Sequence, residues 1–302
     1  MSENVSIADC QIPERHHDGH KGTFGRALIV AGSDGMSGAA CLAGKATLRG
    51  GAGLVTVMVP KCVQAIVAGY EPGYMTVGFE ATERSFEDVL LGEDGDVADL
   101  LKRHGGNQDV IAIGPGLGTS AEAGQLVKCA VTESPCPVIL DADALNLCAD
   151  ENFLATFATD EASELSAVVT PHPGEFARLT GEPIADIQAH RVSSAVQFAK
   201  RHHLVVVLKG PQTIVADAGR VYVNETGNSG MATGGSGDVL TGLLAAVIAQ
   251  GVPLYDAACV AVWLHGAAGD FAAETFSREA MIASDLPQHF GQAWRKLRSL
   301  KS

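Results

Sequence analysis

The sequence predicts an α/β protein with a mostly parallel central sheet covered by helices on both faces. Its strand candidates read as unbroken apolar runs, such as Ala27-Leu28-Ile29-Val30-Ala31 and Val110-Ile111-Ala112-Ile113, instead of alternating apolar and polar residues. Strands buried on both faces read that way. Each run then empties into a loop bearing glycine, proline or aspartate, followed in most cases by helical spacing, and a parallel sheet gathers such loops on one rim, where ligands bind. The composition agrees: 46% hydrophobic, only 5% aromatic, with 35 glycines, as expected for closely packed strands and helices joined by glycine-bearing loops.

Residues 1–19 are polar, with His16 and His17 just ahead of His20, and are expected to form a flexible leader before one domain over residues 20–302. No carboxylate or cysteine spacing completes a metal site there. The strand at Ala27–Ala31 runs into GSDGMSG and a helix from Ala39 to Leu48, which Gly50-Gly51-Ala52-Gly53 ends. Leu54–Val59 is the next strand, stopped by Pro60. The loop lacks Gly-x-Gly-x-x-Gly order, and no acidic residue ends the second strand, so a dinucleotide fold is not indicated. Residues 61–106 carry few signals: a short helix near Val63–Ala68, and an acidic surface helical segment over Glu80–Leu101 broken near Gly92–Gly95.

Four further strand ends follow. Asp109–Ile113 leads to Gly114-Pro115-Gly116-Leu117-Gly118, Pro137–Leu140 to DADALN at Asp141–Asn146, Ser166–Val169 to TPHPGE at Thr170–Glu175, and Leu204–Leu208 to KGPQT at Lys209–Thr213. The glycines allow either close backbone approach to a ligand or merely a tight turn. Asp141 and Asp143 could orient a cation or polar group, although Asp143 could equally cap the helix opening at Ala144. His172, stiffened between two prolines, is placed either to touch a ligand or to make a structural hydrogen bond, while Glu175 could do the same or simply suit a first helical turn. Lys209 and Gly210 at a buried strand's end suit a nucleotide phosphate, the alternative being a lone charge on the rim. Ile187–Lys200 reads as helical, and Thr213–Val215 with Val221–Val223 as a hairpin. Helices at Leu254–Phe271 and about Ile282–Leu300 close the chain, with Trp263 and His265 read as packing residues.

The densest signal is NETGNSGMATGGSGDVLTG at Asn224–Gly242. Gly234-Gly235-Ser236-Gly237 can curl so that the unpaired amides of a helix start face one hollow, and such a hollow holds a phosphate. Asp238 at its edge would repel that phosphate unless it takes a proton from an attacking hydroxyl, the arrangement phosphoryl transfer to an alcohol requires. The alternative is that Asp238 only caps the helix.

A net charge of −14 argues against nucleic acid as a partner. The seven cysteines are scattered without a Cys-x-x-Cys pair, so neither a disulfide framework nor a zinc site is indicated. No apolar run approaches the ~20 residues of a membrane span, and the expected location is the cytoplasm.

Taken in order, HKGTFGRALIVAGS at His20–Ser33, GAACLAGKATLRGGAGLVTV at Gly38–Val57, GPGLG at Gly114–Gly118, DADALN, TPHPGEFARL, KGPQT and NSGMATGGSGDVLTG at Asn228–Gly242 resemble the ribokinase-like superfamily. Within it they are similar to the ADP- or ATP-dependent NAD(P)H-hydrate dehydratases. The resemblance implies a three-layer ribokinase-like sandwich and a repair reaction, in which hydrated NADH or NADPH (NADHX, NADPHX) is phosphorylated on its new hydroxyl and loses phosphate. It further implies that Ala39, Gly116 and His172 contact the hydrate. Lys209, Gly210, Pro211, Gln212, Thr213, Gly235, Ser236 and Gly237 would contact ADP or ATP, and Asp238 would meet the substrate and act as base. Mg²⁺, self-association and a separate hydrate epimerase are implied as well. The family text often has proline where Ser229 stands, a departure expected to loosen the loop. Two rivals remain at this point: a ribokinase-like kinase acting on a vitamin-type alcohol, and a nucleotide sensor without turnover.

Overall fold

The computed structural model describes residues 2–81, 96–151, 154 and 166–301. Ten strands form one sheet in the order β1-β10-β9-β8-β7-β6-β5-β2-β3-β4. The first half of the chain supplies β1 (Glu3–Asn4), β2 (Arg26–Val30), β3 (Leu54–Pro60), β4 (Met75–Phe79) and β5 (Val110–Ile113). The second supplies β6 (Val138–Leu140), β7 (Ala167–Val169), β8 (Val205–Leu208), β9 (Ile214–Ala216) and β10 (Arg220–Val223). Among the described residues only the two pairings of β9, with β8 and with β10, are antiparallel. Registers Val30↔Ile113, Ile113↔Leu140 and Leu140↔Val169 align the carboxyl ends of four strands, and Leu208 ends β8 two residues beyond the Val169↔Val206 pair. The rim expected from the sequence therefore exists.

The unbroken apolar runs are explained by a core on each face. Ala27 and Ile29 of β2 join one apolar cluster while Leu28 and Val30 join the other, so both alternating sets are buried. The first face carries α1 (Ser37–Gly50), α2 (Lys61–Tyr70), α9 (Ser236–Ala249), α10 (Leu254–Phe276) and α11 (Leu286–Leu300). The opposite face carries α3 (Asp96–Gly105), α4 (Ala121–Glu133), α5 (Asp143–Glu151), α6 (Pro173–Thr180), α7 (Ile184–Ala189) and α8 (Arg191–His202). Gly51 ends α1 in the left-handed conformation, at φ 113°.

Three expectations change. The 1–19 leader is not a free tail: Glu3–Asn4 pairs in parallel with Arg220 and Val221, the Gln11 amide donates to Asp256 Oδ2 at 2.9 Å, and Cys10 is buried. Its average polarity conceals Val5, Ile7 and Ile12, which pack against the core. The helical run at Ile187–Lys200 is two helices, α7 and α8, parted at His190. The segment expected over Glu80–Leu101 lies mostly outside the described residues, which resume with α3 at Asp96.

Candidate active site

Ala39 and Gly116 meet at one end of the rim. Gly116 follows β5 at φ 57°, and a Cβ there would stand 2.8 Å from the Ala39 Cβ, so the glycine is required by the close approach of the first turn of α1. Ser33 Oγ donates to the Gly116 carbonyl at 2.9 Å, and the Gly118 amide donates to Asp143 Oδ2 at 2.8 Å. Asp143 thereby ties the β5 loop to the start of α5.

His172 caps α6. Its Nδ1 accepts from the Gly174 and Glu175 amides at 2.9 and 3.1 Å, and Glu175 Oε2 accepts from the His172 amide at 2.7 Å. This reciprocal pair is a capping box. Because Nδ1 accepts, the ring proton sits on Nε2, 3.4 Å from Glu175 Oε1, on a side chain that is 56% exposed. The ring can thus cap its helix and still face a ligand.

Lys209 does not stand free at the rim. Its Nζ lies 2.7 Å from Asp141 Oδ1 and 3.7 Å from Glu175 Oε2. Asp141 is buried, and its second oxygen accepts from Thr241 Oγ1 at 2.7 Å. Burial pulls the Lys209 pKa down, but Asp141 and Glu175 outweigh it and hold it above the ordinary lysine value. The ammonium is thus a fixed positive charge beneath the loop: a Cβ added at Gly237 would lie 3.5 Å from Nζ. Beyond it Gly210 has φ 136° and Gln212 φ 53°, Thr213 Oγ1 donates to the Gly210 carbonyl at 2.9 Å, and Arg191 donates to the Leu208 and Lys209 carbonyls at 3.1 and 3.4 Å. Pro211 and Gln212 line a cavity of about 690 Å³ against α7 and α8. That cavity is lined by neither His172 nor Asp238, so it is not where the reactive groups converge.

The glycine loop begins α9 as expected. Gly235 occupies the N-cap at φ 94°, where a Cβ would strike Leu42 Cδ1 at 2.5 Å, and no side chain caps the helix. The Ser236 amide reaches back to the Thr233 carbonyl at 3.4 Å and the Val239 amide to the Gly235 carbonyl at 3.1 Å; between them, among the described residues, the Gly237 and Asp238 amides have no acceptor. Ser236 Oγ is buried and also without a partner. Asp238 stands in the first turn of α9 and, among the described residues, accepts no hydrogen bond from the helix start. Burial, reinforced by the negative charge of Asp141, raises its carboxyl to a pKa of about 7 against the pull of Lys209.

Helix α10 braces this loop, a role the sequence reading missed. His265 Nε2 meets the Ser236 carbonyl at 2.9 Å. Asp270 accepts from the Gly227 amide and Asn228 Nδ2, both at 3.0 Å, and Thr226 Oγ1 donates to the Trp263 carbonyl at 2.9 Å. Asn228 Oδ1 in turn caps the Ser229–Met231 turn, so the serine in place of the usual proline leaves the loop anchored. A histidine and an aspartate five residues apart in the mostly apolar middle of the helix were the available signal.

The sheet, its shared rim and the uncapped glycine loop define an α/β protein of the ribokinase-like superfamily. The ADP/ATP-dependent NAD(P)H-hydrate dehydratase of Bacillus subtilis, co-crystallized with ATP/Mg²⁺, is 31% identical with a TM-score of 0.78, over 98% of this chain and 99% of that one. The profile of the NAD(P)H-hydrate dehydratase family matches residues 27–290, and the chain belongs to that family. An ADP-dependent (S)-NAD(P)H-hydrate dehydratase of Neisseria meningitidis serogroup B is 40% identical over 86% of this chain and 81% of its own. The bifunctional NAD(P)H-hydrate repair enzyme of Moorella thermoacetica is 43% identical over 91% of this chain, which spans 50% of that relative's length.

Proposed function

We propose that the chain dehydrates the S epimer of hydrated NADH and NADPH at the expense of ADP or ATP, restoring the reduced cofactor and releasing AMP or ADP with phosphate. One observation carries this reading: an uncapped helix start with unpaired amides stands beside a carboxyl that binds no cap and titrates near neutrality. The amides suit the transferred phosphoryl group, and the carboxyl suits the proton of an attacking hydroxyl.

In this reading Ala39, Gly116 and His172 hold the hydrate, and Lys209 to Thr213 with Gly235 to Gly237 hold the nucleotide. Asp238 takes the hydroxyl proton as that oxygen attacks the terminal phosphorus, and the bond from phosphorus to the nucleotide breaks. Phosphate then leaves the ring carbon, expelled by the lone pair of the ring nitrogen, and loss of a proton from the adjacent carbon restores the double bond. Hydroxide would leave poorly, whereas phosphate leaves well. Lys209 serves as a fixed positive charge under the loop more than as a mobile arm.

Among the described residues no group of three His, Cys, Asp or Glu side chains could hold a metal, and Asp141 is committed to Lys209 and Thr241. That donor set fits Mg²⁺ held by nucleotide phosphates with at most one rim carboxylate, Asp143, as Mg²⁺ is commonly bound. When bound it neutralises charge on the transferred group. Self-association, a cytoplasmic setting and a separate epimerase supplying the S hydrate complete the proposal. No described helix is long and apolar enough to cross a membrane.

The test is to mix hydrated NADH with the protein, Mg²⁺ and ADP or ATP and follow the near-ultraviolet absorbance of the reduced nicotinamide. Its return supports the reading. A stable phosphate ester from another alcohol, with the hydrate untouched, would favour the kinase instead.

A further inference from the structure

His265 of α10 is hydrogen-bonded to the glycine loop through the Ser236 carbonyl. A carbonyl oxygen can only accept, so the 2.9 Å contact between His265 Nε2 and the Ser236 oxygen requires the ring proton on Nε2. Burial pulls the imidazole pKa down to about 4 against the pull of that hydrogen bond, so the ring is neutral at working pH and the Nε2–H form is fixed. The oxygen it holds belongs to the peptide unit whose N–H is that of Gly237. That amide has no acceptor among the described residues. A donor on one end of a peptide polarises the N–H at the other and fixes the plane in which it points.

We propose that His265 is a positioning residue for phosphoryl transfer: its Nε2–H holds and polarises the Ser236–Gly237 peptide so that the Gly237 N–H is aimed at the transferred phosphoryl group. This rests on the reading that the glycine loop holds that group. The rest of α10 supports it, because Asp270 and the Trp263 carbonyl anchor Gly227, Asn228 and Thr226 from the same helix. The loop is thus braced at both ends by one rigid element. His265 touches neither substrate in this arrangement; it acts through the peptide.

The pair His265→Gln and His265→Asn separates this role from simple packing. Glutamine can place an N–H where Nε2 stands, whereas asparagine is too short to reach the Ser236 oxygen. With hydrate, ADP and Mg²⁺, the asparagine variant is expected to lose kcat on the order of tenfold, since weakening one preorganised donor costs less than deleting it. Its KM for the hydrate should stay within about twofold of the parent, because uniform binding at Ala39, Gly116 and His172 is untouched. The glutamine variant should recover most of the rate. The Gly237 amide proton, followed by NMR in both variants, should move upfield in the asparagine variant and stay near the parent position in the glutamine one. Equal kcat in the two variants, or an unmoved Gly237 amide in the asparagine variant, would overturn the proposal. A parent protein that leaves the hydrate unchanged would instead overturn the functional reading, and the Gly237 shift would still decide whether His265 polarises the peptide. If the asparagine variant does not fold, glutamine alone decides: parent-like kcat and Gly237 shift support the proposal, and a tenfold loss in a folded protein contradicts it.

Discussion

Two helices begin on the same rim and are finished in opposite ways. Helix α6 is closed by its own residues, with His172 and Glu175 satisfying three backbone amides between them. Helix α9 is left open, with a glycine at the N-cap, Gly237 and Asp238 amides that have no acceptor among the described residues, and an orphaned Ser236 hydroxyl. The Ser236 hydroxyl is buried, and a buried donor without a partner costs about 1–3 kcal/mol, so its orphaning at an open helix start is expected where a ligand supplies the missing acceptor. The charges follow the same division. Lys209, Asp141 and Thr241 satisfy one another, whereas Asp238 is left as a carboxyl that holds its proton up to about pH 7.

The contrast can be broken from the closed side first. Lys209→Ala leaves the buried Asp141 carboxylate with Thr241 as its remaining side-chain partner, and losing one member of a buried pair costs ~3–5 kcal/mol. A denaturant titration should show that loss; a stable variant that had merely lost nucleotide affinity would return Lys209 to the role of free phosphate ligand. Opening the comparison at α9, Asp238→Asn should lower turnover on the order of 10²-fold and leave both ligands bound by titration. The same variant should not be less stable than the parent at pH 8. The carboxyl binds its proton more tightly folded than unfolded, so its ionisation removes stability as pH rises from about 3.8 to about 7, and the amide escapes that loss. Melting curves that coincide near pH 3.5 and separate in the variant's favour by pH 8 would bear this out.

Gly237→Ala sharpens the contrast with little disturbance to the protein, since the added Cβ meets nothing closer than Lys209 Nζ at 3.5 Å. Stability should hold, while ADP binding weakens by ~1–3 kcal/mol, the cost of an extra methyl in a filled site. Unchanged calorimetric affinity would mean that the hollow is not where phosphate sits. The smallest effect belongs to the cap. His172→Ala should cost ~1 kcal/mol of stability, and His172→Asn should recover it. Hydrate binding that stays weak in the stable asparagine variant would assign the exposed ring edge to the ligand.

Much of this was legible in the sequence because it depends on local patterns. Unbroken apolar runs gave the parallel strands, and glycine next to an apolar helical stretch gave the start of α9. The pairing of Lys209 with Asp141 was not legible, since the partners lie on β-strand ends far apart in the chain and only the register of β6, β7 and β8 brings them together. His265 was read as packing for a similar reason: its donor role depends on where α10 lies behind the loop. The N-terminal segment was misjudged because a few apolar residues among many polar ones suffice to fix a short edge strand.

The central claim is that Asp238, unlike the groups that close α6, is left free to accept a substrate proton. The pH dependence of hydrate-to-NADH turnover under single-turnover conditions tests this most directly. The account predicts a rate that rises with pH and levels off above about 7, the value to which burial and Asp141 lift the carboxyl, and a residual Asp238→Asn rate without that inflection. The same inflection in the Asp238→Asn variant, at near-parent rates, would contradict it and move the base to another group.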